Sequence, residues 1–268
     1  MKIAILGCGN MGLAFARSFL QYNLVKKENL LLVEKNQERC EVLQKQREGV
    51  VVNTITPEIS QYDLVILAVK PQDFDTVAAL LNGKLNSDQI VLSIMAGINI
   101  SRIQQAIDHK EVIRAMPNTP AMLGMGVTGF TSAEGIGIAR LFKIENLINA
   151  TGRSIYIEDE AMLDAVTALS GSGPAYFYYY VKSMVEVGQK MGFDESTALM
   201  LVKQTMLGAY HLINNAELSL DDLIKAVASK GGTTESALSV FNNYNLSGII
   251  SEGIISAKNR AKELSKPS

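Results

Sequence analysis

Short apolar runs recur through the first half of the chain, each four to seven residues long and rich in Val, Ile and Leu. They are KIAIL at 2–6, LLLV at 30–33, DLVILAV at 63–69, QIVLSIM at 89–95, EVIRAM at 111–116 and SIYI at 154–157. Continuous runs of this length fit strands buried on both faces. Between them lie segments with apolar positions at helical spacing, such as MGLAFARSFLQ after the first run, DFDTVAALL at 73–81 and ARLFKIENLINA at 139–150. Strand and helix in alternation predict a mostly parallel α/β sheet, doubly wound with helices on both faces.

From about residue 159 the strand signal stops. Helices are expected at 159–170, 174–192, 194–215, 219–229, 234–244 and 246–265. Asp194, Ser219 and Ser247 sit where N-caps belong, and Pro174 suits a first helical turn. The predicted division is therefore an α/β domain over 1–158 and an all-α domain over 159–268. The second part carries YFYYYVKSMVEV and many methionines, more apolar surface than one small bundle buries easily. These helices are expected to pack against a second copy of the chain, in a homodimer.

Composition sharpens this only by exclusion. The 268 residues are 47% hydrophobic and 19% charged, with a net charge of -2, which suits a globular protein and not a nucleic-acid or anionic-membrane binder. Two cysteines, Cys8 and Cys40, make neither a disulfide framework nor a zinc-type spacing, so no metal site is expected and a reducing, cytoplasmic setting is. The N-terminal run is broken by its glycines, by Asn10 and by Arg17, and no run approaches the roughly 20 apolar residues of a membrane span.

The first candidate site is GCGNMG, Gly7 to Gly12, which follows the first strand and opens a helix. That context turns a weak G-x-G-x-x-G pattern into a dinucleotide-binding loop, with free N–H groups and positive helix dipole for a pyrophosphate. Glu34 ends the second strand about 20 residues further on, where an acid binds the adenosine ribose diol. An acid there favours NADH, while Lys35 and Arg39 lie close enough in sequence to accommodate NADPH. The cofactor is NADH or NADPH, and the sequence leaves the choice open.

Five further stretches occur in an order that matters: AVKPQ at 68–72, MAG at 95–97, RAMPNTP at 114–120, LSGSGPAY at 169–176 and GGTTESAL at 231–238. With GCGNMG they make the whole chain resemble the Δ1-pyrroline-5-carboxylate reductases. The resemblance implies reduction of L-1-pyrroline-5-carboxylate to L-proline by NADPH or NADH, the last step of proline biosynthesis. It implies a Rossmann domain and an interleaved helical dimerisation domain; larger rings of dimers occur in the family. By matched motif, Gly7, Gly9, Asn10, Met11 and Gly12 would cradle the pyrophosphate. Val69, Lys70 and Ala96 would flank the ribose and nicotinamide, and Asn118 would shape that pocket. Glu160, Thr233 and Thr234 fall where the family contacts substrate.

The chemistry fits these residues. A cyclic imine can be protonated before hydride reaches its carbon, so the enzyme needs positioning and charge complementarity more than a strong acid. Hydroxyacid dehydrogenases of similar plan carry a lysine shortly after a glycine turn; here Gly173 is followed by Pro174, Ala175, Tyr176 and Phe177. That absence counts against a ketone reductase. A non-catalytic nucleotide sensor would have no use for GGTTES or SGSGPAY.

The loop Gly231-Gly232-Thr233-Thr234 is expected to turn so that its N–H groups meet the substrate carboxylate. Thr234 Oγ1, the candidate catalytic group, would bond the imine nitrogen or the carboxylate. Gly232 and Ser172 complete the expected substrate contacts. His109 and His211 are isolated, and Lys182 reads as a surface or interface residue. One departure stands out: Ser229-Lys230 replaces the Ser-Pro common in the family, and Lys230 points either to solvent or towards the carboxylate.

Overall fold

A computed structural model describes residues 1–264. Eight strands form one sheet: β1 (Ile3–Leu6), β2 (Leu30–Val33), β3 (Val50–Val52), β4 (Leu64–Leu67), β5 (Ile90–Ser93), β6 (Val112–Met116), β7 (Gly126–Ser132) and β8 (Gly152–Tyr156). Their order is β3-β2-β1-β4-β5-β6-β7-β8. The pairs from β3 through β6 are parallel, β7 runs antiparallel to β6, and β8 is parallel to β7. Each expected apolar run carries a strand.

Two strands have no counterpart in the expected runs, β3 and β7. The first is three residues long at the sheet edge. The second, GVTGFTS, hides its character because five of its seven residues are glycine, threonine or serine, Thr128 and Thr131 buried among them. Gly129 is required by packing: a Cβ there would stand 2.9 Å from the side chain of Val166.

Alternation along each strand sends neighbours to opposite faces. Ile3, Ile5, Leu64 and Ile66 pack with Phe15 and Phe19 of α1 (Asn10–Gln21), Leu43 of α2 (Gln37–Gln46) and Ile144 and Ile148 of α5 (Ile138–Asn149). Ala4, Leu6, Val65 and Leu67 face the other way, onto Phe74 and Leu81 of α3 (Phe74–Leu81) and Ile103 and Ile107 of α4 (Ile100–Ile107). The parallel core is thus covered on both sides, as continuous apolar strands demand.

After β8 the chain is helical: a 3₁₀ turn at Glu160–Met162, α6 (Leu163–Val166), α7 (Gly173–Lys190), α8 (Glu195–Asn215), α9 (Leu220–Val227), α10 (Thr233–Asn243) and α11 (Leu246–Leu264). The final residue of the expected 246–265 helix, and residues 265–268 of the expected helical domain, lie outside the described residues. Asp194 and Ser219 cap α8 and α9, accepting from the N–H groups of Thr197 and Asp222. Ser247 is not a cap; it lies inside the first turn of α11, and Asn245 at φ 51° turns the chain before it. The expected break after residue 170 is also different. The chain keeps winding through a wide π turn, Thr167–Gly171, closed by the Ser172 N–H on the Thr167 carbonyl at 2.8 Å.

By packing, the chain forms two compact units: Met1–Pro174 joined by the chain end from Ala257, and Ala175–Ser256. The first unit keeps Glu160–Gly171 because these residues are tied to β6 and β7, as described below. Within the second unit, α7 and α8 approach closely at Gly188, where a Cβ would stand 2.9 Å from that of Ala198. Val185 and Ala198 are buried there, while Phe177, Tyr178, Tyr179, Met200 and Tyr210 are exposed by more than half.

Candidate active site

A cleft of about 390 Å³ opens at the carboxyl ends of β1, β2 and β4, where strand order reverses. That is the position at which open α/β sheets bind ligands. Of the expected nucleotide residues, Gly7, Gly9, Glu34, Lys35, Val69 and Lys70 line it. Asn10, Met11 and Gly12 form the first turn of α1. Ala96 and Asn118 lie beyond the carboxyl ends of β5 and β6, outside that lining.

The glycine loop divides into two kinds of position. Gly7 has φ 98°, and a Cβ there would stand 2.7 Å from the Ala68 carbonyl oxygen; Gly12 would strike the Gly7 carbonyl at 2.1 Å. Both close the turn against the protein itself. Gly9 faces open space instead, with nothing within 4 Å of a Cβ, and it precedes α1 with no side-chain cap on the helix. An uncapped N-terminus facing an open cleft suits a pyrophosphate, so the residues present fit a dinucleotide.

Cys8 in the same loop is a packing residue. It is fully buried, its Sγ lies 3.7 Å from the Val33 carbonyl, and burial, then the nearby Glu34 charge, pushes its thiol up to about 12. It stays protonated and unreactive at neutral pH. Asn53, Thr54 and Ile55, which also line the cleft, follow the unforeseen strand β3. Thr76, Val77 and Leu80 face it from α3, and their i, i+1, i+4 spacing on that helix was the available signal.

Glu160, expected near substrate, takes part in a partly buried ion cluster. Its Oε1 accepts from the Ile100 N–H at 2.8 Å, at the start of α4, and from Arg114 Nη1 at 3.0 Å. Arg114, only 4% exposed in the middle of the sheet, also holds Asp164 at 3.6 Å. Asn118 ties the π turn to β7: its Nδ2 donates to Ser170 Oγ at 3.2 Å, and its Oδ1 accepts from the Val127 N–H at 3.0 Å. Ser172 is half-buried directly after that turn.

The GGTT loop belongs to the helical unit and is built as follows. Gly231 takes φ 71°, and its N–H donates to Glu235 Oε2 at 2.6 Å. The Gly232 N–H donates to the Ser229 carbonyl at 2.9 Å, so neither glycine N–H is left for a ligand. Gly232 then precedes α10 without a side-chain cap. The N–H groups of Thr233, Thr234 and Glu235 are left without a partner among the described residues, at the positive end of an 11-residue helix. Thr234 is half-buried beside them, and Lys230 is exposed.

Comparison with known proteins bears on both sites. Residues 160–264 match the family described as pyrroline-5-carboxylate reductase dimerisation, and residues 2–97 match that described as NADP oxidoreductase, coenzyme F420-dependent. The pyrroline-5-carboxylate reductase of Haemophilus influenzae is 34% identical over 264 residues, 98% of this chain and 97% of that one. The chain belongs to the pyrroline-5-carboxylate reductase family. The enzyme of that name from Pseudomonas aeruginosa is 32% identical over 99% of this chain and 97% of its own. A solved structure from Plasmodium falciparum, a pyrroline carboxylate reductase with NADP bound, superposes with a TM-score of 0.89 at 25% identity, covering 99% of this chain and 98% of that one. The Rossmann-type sheet and the helical dimerisation domain are those of the family.

Proposed function

We infer that the chain reduces L-1-pyrroline-5-carboxylate to L-proline with hydride from NAD(P)H, the final step of proline biosynthesis. The observation that carries this reading is the match to curated reductases over essentially the full length of both chains. The fit of the Gly7–Gly12 cleft to a dinucleotide supports it independently.

A reduced dinucleotide with its pyrophosphate in that cleft would supply the hydride that converts the protonated cyclic imine, at C5, to the amine of proline. The chain's own part is to hold and polarise. In our reading the free N–H groups of Thr233, Thr234 and Glu235 receive the substrate carboxylate, and Thr234 Oγ1 bonds the carboxylate or the ring nitrogen. Ser172 and Gly232 are further substrate contacts in this reading. Gly232 acts by turning the backbone, since its N–H is committed to Ser229. Glu160 acts by bracing Arg114 and the start of α4. Val69, Lys70, Ala96 and Asn118 flank the ribose and nicotinamide.

We also propose that residues 159–268 form the substrate and dimerisation domain, with exposed faces of its helices covered by a second copy. The larger ring of dimers and a cytoplasmic location belong to the same proposal. The activity is tested by following NADH and NADPH oxidation with pyrroline-5-carboxylate. Imine-dependent turnover that yields proline is expected; its absence with both nucleotides would remove the reading.

A further inference from the structure

Glu34 stands at the carboxyl end of β2, on the wall of the cleft, and is only 8% exposed. Its backbone is fixed at both ends: the N–H donates to the Val52 carbonyl at 3.0 Å, and the carbonyl accepts from Cys40 Sγ at 2.9 Å. Its Oε1 accepts the Asn36 N–H at 3.0 Å. The carboxylate is therefore held where sequence logic places the ribose-binding acid. Two neighbouring cations are available in principle to offset it, and both are already engaged. Lys35 Nζ lies 2.7 Å from Asp73 Oδ1, across the cleft on the segment before α3. Arg39 donates Nη2 to the Cys8 carbonyl at 2.5 Å and stands with Nε 3.9 Å from Glu34 Oε2.

We infer that this chain selects NADH over NADPH, with Glu34 as the specificity-determining residue and Asp73 as the group that withholds Lys35 from a 2′-phosphate. A ribose diol offers hydroxyl donors, which a carboxylate accepts. A 2′-phosphate offers acceptors only, with a charge of about −1.5 to −2 at neutral pH, and meets a fixed carboxylate. Arg39 and Lys35 each already stand beside a carboxylate, which offsets part of their charge before a phosphate arrives. The inference rests on reading the cleft as the nucleotide site, and goes beyond it by naming which nucleotide.

The test is binding without substrate. NADH, NADPH, ADP-ribose and its 2′-phosphate are titrated onto the full chain by calorimetry, the last two isolating the adenosine end. Wild type is expected to bind NADH at least about tenfold more tightly than NADPH, with the same ratio for the two fragments. Glu34→Ser should invert that ratio. Asp73→Asn, at a partly exposed site, should narrow it roughly threefold by freeing Lys35. In steady-state assays kcat/KM should follow the same ratio. Wild type binding NADPH as tightly as NADH overturns the inference and leaves the reductase reading intact. Binding of neither nucleotide overturns both the inference and the cleft.

Discussion

The two halves of this chain treat their apolar residues in opposite ways. In the sheet unit, Ile3, Leu30, Ile66 and Phe130 are fully buried by the same chain's own helices. In the helical unit, Tyr179 is 74% exposed and Met200 is 59% exposed, although both belong to strongly apolar helices. The first half closes its own core on folding. The second half does not, and its folded chain still displays the surface that a partner copy of this chain would bury. A difference of this kind teaches where stability depends on concentration: contacts within a chain are first order, whereas those between chains follow mass action.

Breaking the sheet unit should have the largest effect. Arg114→Ala removes the buried cation shared by partly buried Glu160 and Asp164. It should cost about 3–5 kcal/mol, seen by chemical denaturation and equal at all protein concentrations. Tyr179→Asp probes the other half. On an exposed monomer surface it would change little; at the centre of a covered face it should weaken association by at least about 2 kcal/mol. Sedimentation equilibrium should show a shift towards monomer at micromolar concentration. A dimer of undiminished affinity would mean the exposed α7 face is not the interface.

Smaller effects sharpen the contrast between the two candidate sites. Thr234→Ala should lower turnover of the imine by about tenfold, a loss of about 1.4 kcal/mol, while leaving the Kd for nucleotide unchanged, since the GGTT loop and the nucleotide cleft belong to different units. Unaltered kcat would leave the mechanism to the backbone N–H groups alone. Lys230→Ala should be nearly silent, within about 0.5 kcal/mol in KM terms, because that side chain is exposed. A marked rise in KM would instead show that this lysine replaces the family's proline with a charge on the carboxylate.

Much of the fold was legible because its signals are local. The LLLV and DLVILAV runs state their burial outright, and Asp194 and Ser219 mark their helix starts by residue type. β7 was not legible, because a strand of glycines and buried threonines has no hydropathy signature; its identity comes from pairing with β6. Ser247 read as a cap but is internal, because Asn245 turns the chain two residues earlier. The π turn escaped notice because the glycines of SGSG suggest a break. The turn shows itself only in the folded chain, in the Ser172 N–H bond to the Thr167 carbonyl.

By itself the sequence determined six of the eight strands, the glycine loop, the GGTT loop and the family, since each is carried by residues adjacent along the chain. Tertiary structure decided what those residues are free to do. Glu160 became a brace because strand order brings Arg114 and α4 beside it, 46 and 60 residues away. Lys35 and Arg39 were open to a phosphate in the sequence, and folding gives them Asp73, Cys8 and Glu34 as partners. Charge and hydrogen-bonding capacity are properties of a residue, but whether they remain unspent depends on neighbours that only the packed sheet supplies.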